Sequence, residues 1–331
     1  MDPGRRAGPP APVRGRRLGL SGAGVPTPPA GAIRDPRQVR AIGSAIVRWG
    51  AAGDGGSRRP DLPWRSTRDP WAVLVSEVMA QQTQLARVVP AYRRFIARFP
   101  DPSACASAGL GDVLRAWEGL GYNRRAQNLH RAAGVIVETH GGTVPDGLSG
   151  LLALPGVGAY TARAVLAFAF EADVGVVDTN AGRVLSRAVA GRRIRPDEAQ
   201  RLVDAMVPTG SGWMFGQSLL DLGALVCGVD RPRCEECPLR RRCRWAAMRL
   251  SGPDPAQGSA GVSTGQSRFA GSDRQGRGRL VDALRRGAVG PDRVGEEVGW
   301  PDDPVRVERM VSVLIDEGMV VRDAAGVLRL P

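Results

Sequence analysis

The chain has 331 residues, of which 43% are hydrophobic, enough for a folded protein of two or three domains. Its net charge is +13 and all 46 basic residues are arginine, which favours a polyanionic partner, most simply nucleic acid, and excludes chemistry that needs a lysine amine. Neither a run of 18 apolar residues nor a signal peptide is seen, so we expect a cytoplasmic protein with no membrane association.

Residues 1–35 consist mainly of Pro, Gly and Arg, a composition that buries too little apolar surface to order itself. The sequence therefore predicts a disordered tail there. From residue 36 to 250, apolar residues recur at three- and four-residue spacing between Gly and Pro breaks. Because almost no segment alternates as a strand would, this region predicts an all-α domain.

A glutamate lies in the middle of one predicted helix, in the sequence VLVSEVMAQQ. Glu77 has Val75, Val78 and Met79 as neighbours. Burial among apolar groups raises the pKa of a carboxyl, which makes Glu77 a candidate for an acid that stays protonated. The alternative is an ordinary carboxylate on a solvated helix face.

A glycine-rich turn, LPGVG, separates two predicted helices at residues 154–158. Gly156 and Gly158 can adopt backbone angles closed to other residues, and their N–H groups can face a phosphate at the start of the next helix. This pattern indicates a helix-hairpin-helix, which holds DNA without reading its sequence. The alternative is an ordinary helix connection with glycine at the cap.

A second carboxylate, Asp178, ends the apolar stretch VGVVDTN and precedes another predicted helix. Aspartate is favoured at such a position because its side chain caps the helix N-terminus. A plain capping role is therefore the alternative to a chemical one, and both remain open at this point.

Four of the five cysteines lie close together in CGVDRPRCEECPLRRRC, with the spacing C-x6-C-x2-C-x5-C. Disulfides are not expected in a cytosolic chain, so this spacing indicates a metal site, with a metal-free structural role as the alternative. Four thiolates without histidine suit zinc or a 4Fe–4S cluster, and the spacing does not decide between them. The four residues are Cys227, Cys234, Cys237 and Cys243.

The C-terminal part begins with a Gly/Ser/Pro-rich linker, predicted for residues 251–272. Residues 273–331 then follow the order helix, helix, helix and short hairpin, which is typical of a winged-helix module. Such a module either binds DNA or packs on the preceding domain.

Taken together, the motifs from about residue 60 to 250 resemble the helix-hairpin-helix DNA glycosylases, and most closely the adenine glycosylases of the MutY family. The resemblance is carried by LPWR, SEVMAQQTQ, WEGLGYNRRAQNLH, LPGVGAYT, VVDTNAGRVLSR and the cysteine motif. It implies two helical subdomains with a cleft, and a loop at 227–243 that holds a structural 4Fe–4S cluster. It also implies a nucleoid-associated monomer that acts on duplex DNA containing adenine opposite 8-oxoguanine or guanine.

The resemblance also assigns chemical roles. Breaking an N-glycosidic bond requires one carboxyl kept as an acid and another kept anionic. By similarity to the MutY family, Glu77 is the proton donor to adenine and Asp178 stabilises the positively charged sugar. Bifunctional relatives of the endonuclease III type have a Schiff-base lysine where this chain has Tyr160. The resemblance therefore implies a monofunctional enzyme, with Tyr160 and Asn180 shaping the sugar site.

Other matching positions are expected to contact DNA. A target base must leave the helical stack, and polar or aromatic side chains fill the gap. Gln82 and Tyr122 match intercalating positions of the family, with Gln81 beside them, while Trp64 and Arg65 match positions near the base pocket. The chain departs from many members at Asn123, where a second tyrosine is common. It also shows a winged-helix-like module where many MutY enzymes carry a Nudix-like domain, which leaves the opposite-base preference open.

Two other functions remain as alternatives. A thymine or uracil mismatch glycosylase of the same superfamily is one, because relatives with tyrosine in the hairpin and no Nudix-like domain act in that way. A non-catalytic DNA-binding protein, with the hairpin and cluster acting as a clamp, is the other. The presence of both carboxylates argues against the second alternative.

Overall fold

In the computed structural model, which describes residues 35–53, 58–248, 252–261 and 268–331, nearly all regular structure is helical. This confirms the all-α prediction. The tail predicted for 1–35 lies, apart from Asp35, outside the described residues. The α-helices are α1 (Pro36–Ala51), α2 (Pro70–Ala80), α3 (Leu85–Arg98), α4 (Pro102–Ser107), α5 (Leu110–Ala116), α6 (Arg124–His140), α7 (Leu148–Ala153), α8 (Ala159–Ala169), α9 (Thr179–Val184), α10 (Pro196–Met206), α11 (Gly212–Asp221), α12 (Arg244–Ala247), α13 (Asp273–Arg286), α14 (Val294–Val298) and α15 (Pro304–Asp316).

Shorter elements make up the rest of the regular structure in the described ranges. Two π-helical segments, Leu185–Ala190 and Leu222–Val226, continue α9 and α11 directly. Four 3-10 turns occur at Pro63–Arg65, Cys234–Glu236, Arg240–Arg242 and Pro291–Arg293. Strands β1 (Val321–Arg322) and β2 (Leu328–Arg329) pair antiparallel, with Val321 opposite Arg329.

Aspartate side chains determine where several helices begin. In five of the described helices an aspartate carboxylate accepts a hydrogen bond from a backbone N–H of the first turn, which would otherwise have no partner. A proline follows four of these aspartates, and its fixed backbone angle suits the first helical position. The five capping residues are Asp35, Asp69, Asp101, Asp178 and Asp303.

The buried apolar residues form two clusters, as expected for two helical subdomains. One cluster joins α2, α3, α5, α6 and α8, with Trp71 and Trp117 at its centre. Cys105 is fully buried on α4 and contributes to it. The other cluster joins α1, α9, α10 and α11. Helices that come from both clusters, α2, α8, α9 and α11, supply the walls of the cleft described below.

Two parts of the predicted linker are described, residues 252–261 and 268–272, and the first of them is packed against the glycosylase domain. The guanidinium of Arg187 binds the Asp254 carboxylate, and the backbone N–H of Ala260 donates to the carbonyl of Ile194 at 3.0 Å. The Ala260 carbonyl also lies so close to Gly182 that a Cβ there would be 2.1 Å from it. The linker was predicted from its composition, which does not reveal such tertiary contacts.

The C-terminal module has the predicted order of helices and hairpin, in α13, α14, α15, β1 and β2. Its apolar residues join the first cluster, so the module packs on the preceding domain. The Arg285 guanidinium donates to the carbonyl of Leu114 and to the Asn123 side chain, each at 2.8 Å. The exact domain boundaries stay a prediction. Among the described helices, none has the length and apolar character to cross a membrane.

Candidate active site

A cleft of about 810 Å³ brings together most of the residues singled out in the sequence. All four predicted catalytic residues and six of the seven predicted DNA-binding residues line it. Tyr122 is the exception; it lies in a neighbouring cleft that shares Gln81 and Gln82 with this one. The residues lining the first cleft include Trp64, Arg65, Glu77, Gln81, Gln82, Gly156, Gly158, Tyr160, Asp178 and Asn180.

Glu77 is a buried carboxyl in the middle of α2, and only 8% of the residue is exposed. Its pKa is raised from an ordinary value of 4.5 to about 7, chiefly because of burial and to a smaller extent because of the nearby charge of Asp178. The Tyr160 hydroxyl, which donates a hydrogen bond to the carboxylate, and the charge of Arg65 act in the opposite direction. The buried position agrees with the expectation of a raised pKa, and the solvated-face alternative is wrong.

The glycine turn places Tyr160 on the first turn of α8. Gly156 has a φ of +77°, and a Cβ there would lie 2.7 Å from the Cβ of Asn128, so only glycine fits. Gly158 has a φ of −92° and is the N-cap of α8, so it does not need the special angles expected of it. A Cβ at Gly158 would meet nothing within 4 Å, which leaves this helix end open to the cleft.

Asp178 faces the cleft and also caps α9. Its carboxylate accepts the backbone N–H of Ala181 at 2.7 Å and the side-chain amide of Asn180 at 2.8 Å. The pKa of Asp178 is raised, because burial outweighs the opposing effects of these hydrogen bonds and of the Arg183 charge. Asp178 therefore has the capping role that was the alternative to a chemical one. Its carboxylate also lines the cleft that Glu77 lines.

Trp64 and Arg65 form one wall of the cleft. The Arg65 guanidinium binds both carboxylate oxygens of Asp221, at 2.8 and 3.1 Å, and both side chains are buried. Trp64 packs edge-on against Tyr92, with ring centroids 5.2 Å apart. These contacts fix both side chains in the wall of the cleft. Asp221, the partner of Arg65, was not identified from the sequence.

The predicted wedge residues lie at strained positions between α2 and α3 and before α6. Gln82 has a φ of +54° and Tyr122 a φ of +48°, backbone angles that residues other than glycine rarely adopt. Tyr122 is 38% exposed, while the amide of Gln81 donates to the Thr161 hydroxyl at 3.2 Å. Strain at exposed polar and aromatic residues often marks a functional contact.

The residue that joins the loop after α2 to the loop before α6 was not identified from the sequence. Arg125 lies half-buried on α6, and burial lowers its pKa to about 10. It ties the end of α2 to the loop that carries Tyr122, whose ring it also approaches at 5.5 Å. Nothing in the sequence distinguishes it from the adjacent Arg124. The groups that accept its hydrogen bonds are the carbonyls of Val78, Met79, Gln81, Leu120 and Gly121 and the hydroxyl of Thr83.

The four motif cysteines, Cys227, Cys234, Cys237 and Cys243, surround one pocket with mostly apolar walls. Within the described ranges, no three His, Cys, Asp or Glu side chains converge closely enough for a single metal ion. A cubane cluster is held differently, because each cysteine binds a separate iron around a wider core. Four cysteines around one pocket are the donor set that such a cluster takes.

A second missed arginine links the cysteine loop to Asp178. Arg183, on α9, donates through Nε to the carbonyl of Cys227 at 2.6 Å and through a terminal nitrogen to the Asn180 side chain at 2.8 Å. Asn180 in turn donates to Asp178. A chain of hydrogen bonds through Arg183 and Asn180 therefore connects Asp178 to the cysteine loop.

Comparisons with known proteins agree with this geometry. Residues 75–208 match the family model described as HhH-GPD superfamily base excision DNA repair protein. An adenine DNA glycosylase of Mycolicibacterium smegmatis is 44% identical over 272 residues, which cover 81% of this chain and 90% of that protein. One of Mycobacterium tuberculosis is 43% identical over 279 residues, covering 82% and 89% of the two chains.

Among solved structures, a thermostable thymine-DNA glycosylase superposes with a TM-score of 0.58 at 27% identity. The match covers 64% of this chain and 98% of that one. The identity and coverage of the mycobacterial relatives, together with the family model and the shared fold, show the family. The chain belongs to the MutY family of helix-hairpin-helix DNA glycosylases.

Proposed function

We propose that this DNA glycosylase hydrolyses the N-glycosidic bond of adenine paired with 8-oxoguanine or guanine in duplex DNA. The observation that carries the proposal is that Glu77 and Asp178 line one cleft large enough for an extruded nucleotide, and that burial favours the protonated form of Glu77. The adenine DNA glycosylase relatives support the choice of adenine. That the chain acts as a monomer and associates with the nucleoid stays a prediction.

Glu77 supplies the proton. With its pKa raised to about 7, about half of the carboxyl is protonated at neutral pH. It protonates a ring nitrogen of adenine, so that the bond between C1′ of the sugar and N9 breaks and its electron pair leaves with the neutral base. Tyr160 orients the carboxyl through its hydroxyl.

Asp178 stabilises the sugar. As C1′ loses the base it develops positive charge, and a carboxylate beside it becomes more strongly favoured as an anion than in the free enzyme. The hydrogen bonds from Ala181 and Asn180 keep that carboxylate oriented before substrate arrives. Water then adds at C1′, and its proton goes to the carboxylate that Glu77 has become.

We also propose that the enzyme has no Schiff-base lyase activity. A lyase of the endonuclease III type attacks C1′ with an amine, but Tyr160 stands at that place and the sequence has no lysine. Water is therefore the nucleophile.

The four motif cysteines are proposed to hold a 4Fe–4S cluster. Their common pocket supports this assignment, and the arginines around it can meet a phosphate backbone. When bound, the cluster cross-links the loop from 227 to 243. Through Arg183 the ordered loop keeps Asn180 and Asp178 in place.

Glu77→Gln and Asp178→Asn are each expected to lower the single-turnover rate of adenine excision by at least about 100-fold, because one removes the proton donor and the other the stabilising charge. Binding to a duplex with adenine opposite 8-oxoguanine should persist. Glu138→Gln, which neutralises an exposed glutamate on α6, is the matched control and should keep wild-type rates. Full activity of either variant contradicts the mechanism, and removal of thymine alone from G·T duplexes favours the thymine glycosylase alternative.

Tyr160→Phe should move the pH dependence of excision upward. Because the protonated form of Glu77 is active, the rate falls as the pH rises through about 7. The Tyr160 hydroxyl lowers the pKa of Glu77, so its removal raises that pKa and shifts the falling limb to higher pH. Tyr92→Phe removes a hydroxyl elsewhere in the core and should leave the profile in place. A downward shift in Tyr160→Phe would show that Glu77 is not the acid.

Borohydride added during turnover should trap no covalent protein–DNA adduct above background, because the N-terminal amine is the one amine in the chain. An endonuclease III-type enzyme treated in parallel serves as the positive control. A strong adduct from this enzyme would contradict the proposed attack by water.

Protein purified without oxygen should contain iron and inorganic sulfide and absorb broadly in the visible range. Cys237→Ser should lose iron, thermal stability and DNA affinity together, because the loop that the cluster orders is lost. Cys105→Ala, outside the pocket, should keep its iron. Zinc as the sole stoichiometric metal in the wild type would overturn the cluster assignment.

A further inference from the structure

The segment at residues 252–261, which follows the cysteine loop, reaches the catalytic cleft. Its last residue, Gly261, lines the cleft that Asp178 also lines. The buried residues of the segment are Ala256, Ser259 and Ala260. The segment therefore forms part of the cleft wall next to Asp178.

Two glycines allow the segment to approach the backbone of α9 closely. Gly261 has a φ of +76°, and a Cβ at this position would lie 2.6 Å from the carbonyl oxygen of Asp178. Gly182 faces the same segment, and a Cβ there would lie 2.1 Å from the carbonyl oxygen of Ala260. The Asp178 carbonyl also accepts the backbone N–H of Gly182 at 2.8 Å. The segment thus packs directly on the first turn of α9, the turn that Asp178 caps.

Hydrogen bonds hold the segment in this position at both ends. Near Gly261, the backbone N–H of Ala260 donates to the carbonyl of Ile194 at 3.0 Å. The backbone N–H of Ile194 in turn donates to the Ser259 hydroxyl oxygen at 3.1 Å. At the other end, the buried guanidinium of Arg187 donates through Nε to the Asp254 carboxylate at 2.9 Å and binds its second oxygen as well. The segment is therefore a fixed wall of the cleft.

The orientation of the Asp178 carboxylate depends on the first turn of α9. The two groups that donate to it, the Ala181 N–H and the Asn180 amide, belong to that turn. A shift of the turn would move both donors and the carboxylate together. Because Gly261 is in contact with the Asp178 carbonyl, the segment opposes such a shift from the side away from the two donors. A small displacement of a group that must stabilise a transition state is costly.

We propose that the segment at 252–261 positions Asp178 for the reaction, and that Gly261 is a positioning residue that acts through the Asp178 backbone. This inference rests on the proposed role of Asp178 in stabilising the positively charged sugar. A side chain at position 261 would push the first turn of α9 away and displace the carboxylate from the sugar.

The test measures, with the whole chain, how strongly the protein prefers a positive charge at the sugar. Two duplexes carry 8-oxoguanine opposite either a pyrrolidine, whose protonated amine mimics the charged sugar, or a neutral tetrahydrofuran of similar size. The wild type should bind the pyrrolidine duplex more tightly because of the Asp178 charge. In Gly261→Ala this preference should fall at least about fivefold, while affinity for the tetrahydrofuran duplex stays within about twofold of wild type.

Gly252→Ala is the matched control. Gly252 lies in the same segment with a φ of +81°, but a Cβ there would meet nothing within 4 Å. This variant therefore has a similar backbone strain without the contact to Asp178, and should keep the wild-type preference. Ser259→Ala loosens the segment by removing the acceptor of the Ile194 N–H and adds no atom. It should also lower the preference, and it decides the matter if Gly261→Ala does not fold.

The outcomes separate this inference from the proposed function. If the wild type shows no preference for the pyrrolidine duplex, the proposed role of Asp178 itself fails. If the wild type shows the preference but Gly261→Ala and Ser259→Ala keep it as Gly252→Ala does, the segment does not position Asp178. An equal loss of affinity for both duplexes would indicate a general structural role, and would likewise overturn the inference.

Discussion

The structure depends on one electrostatic constraint, the placement of two carboxyls in a single cleft with little access to water. Burial of Glu77 raises its pKa from 4.5 to about 7, a difference worth roughly 3 kcal/mol. Asp178 is surrounded by donors that favour its anion, whereas Glu77 lies among apolar residues of α2. Burial raises the pKa of both carboxyls, while the hydrogen-bond donors and the Arg183 charge around Asp178 oppose that rise and favour its anion.

Other features of the fold keep these two groups in position. The turn at Gly156 places Tyr160 against Glu77, and the Asp178 cap fixes the start of α9. Arg183 extends this support to the cysteine loop, so the proposed cluster acts on the site through structure alone. Arg125 supports the predicted wedge residues Gln82 and Tyr122, because it binds both the end of α2 and the loop that carries Tyr122.

Local sequence patterns indicated those features of the site that depend on neighbouring residues in the sequence. The apolar neighbours of Glu77 made burial one of two open alternatives, and the aspartate before α9 was interpreted as either a cap or a chemical group. Arg125, Arg183 and the Arg65–Asp221 pair could not be found in this way, because their partners lie far away in the sequence or are backbone carbonyls. Tertiary contacts that composition does not encode likewise determine the packing of residues 252–261 and the cleft that Tyr122 lines.

The central claim is that the cleft raises the pKa of Glu77 to about 7, so that this carboxyl can act as the acid. It is tested most directly by an NMR titration of protein with ¹³C-labelled glutamate carboxyls, in which Glu77→Gln identifies the Glu77 signal. The account predicts a midpoint near 7 in the wild type and a lower midpoint in Asp178→Asn, because the Asp178 charge raises the pKa of Glu77. A midpoint near 4.5 that Asp178→Asn leaves unchanged would contradict it.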